Sequence, residues 1–131
     1  MTATQKFAWF NLLVVLGVLL IVGCLYPFFG WKAHGALGLT ALLALSPIFY
    51  RKRENEVITD ERDALIQRRA ALIGASVFWL VYVLASSLLT PLVYGQEGCV
   101  PVEVVQVSVF YALVLFIGVV SVATLILNSR G

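Results

Sequence analysis

Four stretches of this chain contain no Asp, Glu, Lys or Arg, and nothing else in the sequence restricts its fold so severely. They are Phe7 to Trp31, Ala33 to Tyr50, Ala70 to Gln96 and Val104 to Ser129, with lengths of 25, 18, 27 and 26 residues. At 1.5 Å per residue, about 20 helical residues cross a hydrocarbon core of roughly 30 Å. Each run therefore predicts a transmembrane helix. A soluble helical bundle would keep a polar face toward water, and the segments FNLLVVLGVLLIVGCLYPFF and VVQVSVFYALVLFIGVVSVATLILN have none. Outer-membrane barrel strands are short and alternate polar with apolar residues, which these runs do not. With 61% hydrophobic and 12% charged residues in a chain of 131, the sequence is far more apolar than a soluble core of this size requires.

The expected architecture is an all-α membrane protein: four transmembrane helices in an antiparallel up-down bundle, forming one domain over 1–131 with no soluble domain. The helices are placed at about 8–26, 32–50, 60–91 and 103–128, with a cytoplasmic linker at 51–59 and an extracytoplasmic loop at 92–102. The first run is retained rather than cleaved, because its length and the cluster Tyr26, Phe28, Phe29, Trp31 do not suit a small-residue cleavage site. Pro27 and Gly30 close a short connection between helices one and two, and Pro91 is expected to end helix three. Helix two, with Pro47 near its end, is only just long enough to span.

Orientation follows from the basic residues. Lys6, the six bases between Arg51 and Arg69, and Arg130 fall on one side of a four-span chain, while Lys32 alone falls on the other. Eight against one is a strong positive-inside bias, and it predicts cytoplasmic termini and a cytoplasmic middle loop in a prokaryotic plasma membrane.

The usual chemistry of a membrane transporter or enzyme is missing from this pattern. Ion coupling and proton routes use intramembrane carboxylates or bases, and the four runs have neither. His34, the single histidine, lies beside Trp31 and Lys32 at a helix end, so it reads as an interfacial residue rather than a haem or zinc ligand. No phosphate loop, nucleophile elbow or HExxH is present, so no catalytic, cofactor or metal residue is assigned. Cys24 and Cys99 both fall near the outward face, where a disulfide between them is one reading. The other is that Cys24 packs as a small apolar residue and Cys99 is free.

Contacts with lipid and with other proteins are the remaining expectations. Arg51, Lys52 and Arg53 suit anionic headgroups, at about 1 kcal/mol per charge near the surface. The neighbouring acids oppose nucleic-acid binding. Small residues four apart, Ala36, Thr40 and Ala44 in helix two and Ala70 and Gly74 in helix three, allow close helix packing in lipid. The polar residues Gln106, Ser108, Ser121 and Thr124 of helix four read as interhelical contacts or the lining of a small pocket.

The segment ITDERDALIQRRAALIG from Ile58 to Gly74 carries the entrance to helix three. Thr59 or Asp60 suits a cap, and Asp60, Glu61 and Asp63 suit the positive end of the helix in water. Arg68 and Arg69 mark the headgroup level, snorkelling toward phosphate. Glu61 and Arg62 read either as solvated charges or as a docking surface. Asp60-Glu61-Arg62, followed by Ile66, Arg69 and Ala70 at the start of a membrane helix after a first hairpin, resembles the small prokaryotic membrane proteins grouped as DUF2178. The resemblance implies a prokaryotic membrane location and brings no activity with it. The expected function is accordingly non-enzymatic: a structural or accessory subunit forming a homo-oligomer or joining a larger membrane complex. A small oligomeric transporter or channel without an intramembrane charge is the alternative.

Overall fold

The computed structural model describes residues 3–50, 61–95 and 98–129. Those residues are helical almost throughout and contain no strand. Three helical stretches among them are long and apolar enough to cross a membrane: Ala3–Ser46, Glu61–Tyr94 and Val102–Ser129. The expected first helix and most of the second, placed at about 32–50, fall within the first stretch, so three stretches stand where four separate helices were expected.

Helix α1 covers Ala3–Phe29. Its buried residues, Thr4, Ala8, Asn11, Val15, Val18 and Val22, alternate spacings of four and three. That spacing keeps one seam of the helix against its neighbours. Pro27 lies inside the last turn of α1 rather than after it. A proline there has no N–H to bond the Gly23 carbonyl and weakens the last turn, and the reversal follows at Gly30, whose φ of 56° favours glycine.

A 3-10 helix, Gly30–Tyr50, follows directly. Its Leu37, Thr40 and Ser46 are buried and Leu43 half-buried, a period of three that matches three residues per turn. Thr40 Oγ1 donates to Leu37 O at 2.7 Å, within a single turn. An α-helix over Lys32–Tyr50 was expected to be barely long enough. At about 2.0 Å per residue the 21 residues reach roughly 42 Å, where α geometry gives about 32 Å. The 27 residues of α1 span about 40 Å, so the tighter winding matches the two neighbours in length.

Helix α2 covers Glu61–Leu84, a π-helical turn covers Ala85–Leu89, and α3 covers Thr90–Tyr94. Pro91 therefore does not end the third expected helix. In an uninterrupted α-helix it would fail to bond the Ser87 carbonyl and would crowd it. The wider π turn resets the register just before it and places Pro91 in the first turn of α3, where no N–H is needed. Gly95, with φ of 74°, closes α3 by donating its N–H to Pro91 O at 2.9 Å. Helix α4 covers Val102–Ser129.

The helices pack as a row. The 3-10 helix lies on α1, where Leu37 joins Val18 and Val22 in the core. Helix α4 also packs on α1, with Val107 and Tyr111 against the same cluster. Further along, Gly118 faces Val15, so α1 and α4 run in opposite directions. Helix α2 packs on α4 through Phe78 and Phe116, whose rings are 6.2 Å apart, and through Gly74 against Val120. A hydrogen bond from Thr4 to Asp63 puts the starts of α1 and α2 at the same end. We call this the basic end, since Lys6, Arg68 and Arg69 are there. Among the described residues the main packing is 3-10 helix to α1, α1 to α4 and α4 to α2, and α2 and the 3-10 helix are not substantially packed together.

Candidate functional site

Two places in this row gather side chains that apolar packing alone does not require. The first is a buried polar cluster at the basic end. Asp63 is in the first turn of α2, where the helix dipole favours a carboxylate. Sequence periodicity explains its burial: Asp63, Ile66, Ala70 and Gly74 form one stripe, and that stripe faces the other helices. Asp63 is 9% exposed and accepts a hydrogen bond at 3.1 Å from the hydroxyl of Thr4, which is 0% exposed. The expectation of a water-side acid at this position is thus corrected. The first-turn position was readable, but the buried stripe read back from Ala70 and Gly74 was the signal that was missed.

Two turns further along α1, Asn11 is 6% exposed, and its Oδ1 has no hydrogen-bond partner. On α4, Ser121 and Thr124 are buried with their hydroxyls donating to the carbonyls of Ile117 and Val120 at 2.8 Å. Asn128 Nδ2 is also buried without a partner. An acceptor and a donor left unpaired in low dielectric cost about 1–3 kcal/mol each, and both are the kind of group that buried water satisfies.

The second place is a groove of about 600 Å³ between the α2 side and the first half of α4. Phe78, Tyr82, Ala85 and Leu89 form one wall, and Val104, Ser108, Ala112 and Leu115 the other. The π turn contributes directly, because a wider turn displaces the chain from its partner at Ala85–Leu89. The lining is mostly apolar, and its two serine hydroxyls are turned onto the backbone: Ser86 Oγ donates to Tyr82 O, and Ser108 Oγ donates to Val105 O at 2.7 Å, while Tyr82, Thr90, Tyr94 and Tyr111 also line it. Tyr111 reaches from the groove to an aromatic group around His34, with ring centroids 5.9 Å apart. The His34 ring also lies 4.5 Å from that of Trp31 and 5.8 Å from that of Tyr26. Its Nδ1 is 2.9 Å from Trp31 O; since a carbonyl only accepts, the proton belongs on Nδ1.

The residues singled out from the sequence are dispersed. Glu61, Arg62, Arg68 and Arg69 are exposed at the basic end. Arg51, Lys52 and Arg53, together with Thr59 and Asp60, lie outside the described residues. Ala70 is completely buried, and a Cβ on Gly74 would overlap Val120 Cγ2 and stand 3.5 Å from Phe116 Cε2. Ala36 is half-buried beside the Val18, Val22 and Leu37 cluster, Thr40 is buried, and Ala44 is exposed. Gln106 is exposed on α4. Cys24 and Cys99 are both exposed, free thiols.

Comparisons with curated proteins and with solved structures returned no match. A family model described as "Predicted membrane protein (DUF2178)" matches residues 3–129. With apolar helical stretches of membrane-crossing length and a family match over nearly its whole length, the chain belongs to the DUF2178 family of predicted membrane proteins.

Proposed function

We propose that this membrane protein is a small structural or accessory subunit that packs with itself or with a larger membrane complex. The observation that carries this reading is the bareness of the second spanning stretch. Of the most apolar 18-residue window in Glu61–Tyr94, only 6% is buried, against 22% in Val102–Ser129. Trp79, Leu80, Val83, Leu84 and Leu88 are all exposed along it. A helix that ends a row with so little intramolecular packing has a face available to another helix. In lipid, that association gains from van der Waals contact rather than from water exclusion. The exposed charges Glu61, Arg62, Arg68 and Arg69 provide a rim of both signs at the basic end.

The proposed setting is a prokaryotic plasma membrane with the basic end in the cytoplasm, supported by the eight-to-one distribution of bases. All four long helices then cross, up and down, with both termini inside. The opposite directions of α1 and α4, and the hairpin at Gly30, support this arrangement. The decisive experiment is native mass spectrometry after mild extraction from the source membrane. The protein is expected as an oligomer or with stoichiometric companions, and a lone monomer would overturn the subunit role.

Asn11 favours a second reading, an oligomeric transporter or channel. Its unpartnered Oδ1, with Thr4, Ser121 and Thr124 on buried faces, supplies polar groups inside an apolar chain without a charge in the middle of a span. Liposomes holding the protein alone test it: solute flux that is lost in Asn11→Leu supports a pathway, and no flux removes it.

A further inference from the structure

We infer that the groove beside the π turn is a binding site for one acyl chain of a zwitterionic, ethanolamine-type phospholipid from the leaflet away from the basic end. Depth is the first argument. Arg68 and Arg69 mark one headgroup level, and about 20 helical residues from Ala70 reach Leu89 near the other. The groove begins at Phe78 and passes Leu89 to end at Tyr94, so it lies in the half of the membrane away from the basic end. From Phe78 to Leu89 the helical rise is about 16 Å, against about 15 Å for one leaflet's share of the hydrocarbon. One chain fits along it, whereas a helix about 10 Å across seated in the same groove would have to extend over both leaflets.

Lining chemistry is the second argument. A polar ligand needs free donors or acceptors. Here Ser86 and Ser108 turn their hydroxyls onto the backbone at Tyr82 and Val105, and Thr90 and Tyr94 fall beyond Leu89 at the headgroup level, so Phe78, Leu89, Ala112 and Leu115, with the rings of Tyr82 and Tyr111, meet the occupant. The backbone gives the third argument. The π turn and Pro91 hold the α2 side away from α4, so the opening is built into the chain rather than left by one short side chain.

The headgroup follows from charge. Glu103, an acid exposed in the first turn of α4, lies beside the lining residues Val104 and Val105. A carboxylate there pairs with an ammonium and repels a headgroup carrying negative charge alone.

The test uses the full chain in nanodiscs made from equal amounts of phosphatidylethanolamine and phosphatidylglycerol, released for native mass spectrometry. One phosphatidylethanolamine per chain is expected to survive release. Ala112→Trp, which fills the groove, should lower retention by about tenfold, equivalent to about 1.4 kcal/mol. Val109→Trp, at an exposed α4 position outside the lining, should retain lipid like the wild type. Glu103→Lys should abolish the preference for ethanolamine over glycerol headgroups. Absence of retained lipid, or equal retention in both Trp variants, would overturn the site. So would a loss of oligomer in Ala112→Trp with no lipid change, since that would make the groove a protein interface. Oligomeric state is read in the same spectrum, which separates failure here from failure of the subunit role.

Discussion

At the scale of single residues, Asp63 carries more than its place in a charged segment suggests. Its carboxylate is buried against the Thr4 hydroxyl across 59 residues of sequence, joining the starts of α1 and α2. Thr4→Val keeps the shape and removes the donor, leaving a buried carboxylate short of a partner. We expect a loss of about 1–3 kcal/mol in thermal or denaturant unfolding in detergent. Thr4→Val combined with Asp63→Val should cost less than the sum of the single changes, because neither group is then left unpaired. Additive losses would show that the bond contributes nothing. Gly74 presents the opposite case, a residue whose value is what it lacks. Gly74→Ala drives a methyl into Val120, and we expect overpacking to cost about 1–3 kcal/mol, read as a lower unfolding midpoint. An unchanged midpoint would mean that α2 and α4 do not approach so closely.

At the scale of elements, two helices depart from plain α geometry for different reasons. The 3-10 helix gains length: its 21 residues match the 27 of α1, and its buried residues take up a period of three. The π turn accommodates Pro91 and opens the groove wall. Pro91→Ala restores a backbone N–H where α geometry can use it. Helix α2 is then expected to continue through Ala85–Leu89, narrowing the groove, with amide hydrogen exchange in that segment slowed by about tenfold. Unchanged exchange would separate the π turn from the proline. The alternation of fours and threes in α1 was readable as a buried seam only once its partners were known. Its residues are apolar on every side, so the hydrophobic pattern could not point to one face.

Across the whole molecule, the row order leaves the outer faces of α2 and of the 3-10 helix without substantial packing partners among the described residues. Both faces are available to lipid or to other chains. Topology has a direct check under the proposed orientation. Reporters fused after Gly131 and within the 51–59 segment should report cytoplasm. An impermeant thiol reagent should reach Cys99, an exposed thiol, from outside intact cells. Labelling only after the membrane is opened would reverse the orientation.

The charge-free runs alone settle the solvent and the class of structure. Runs of 18 to 27 residues without a charge have no stable place in water and, in lipid, must satisfy their backbone groups as helices. The sequence also marks the basic end, because Lys and Arg are counted without knowing any contact. The burial of Asp63, the unpaired oxygen of Asn11 and the groove between the α2 side and α4 come from the packing of the helices and are not written in any one run. These depend on which faces meet. In a chain apolar all round, hydrophobicity settles that a helix enters the membrane, while side-chain shape and the few polar groups settle which neighbour it meets there.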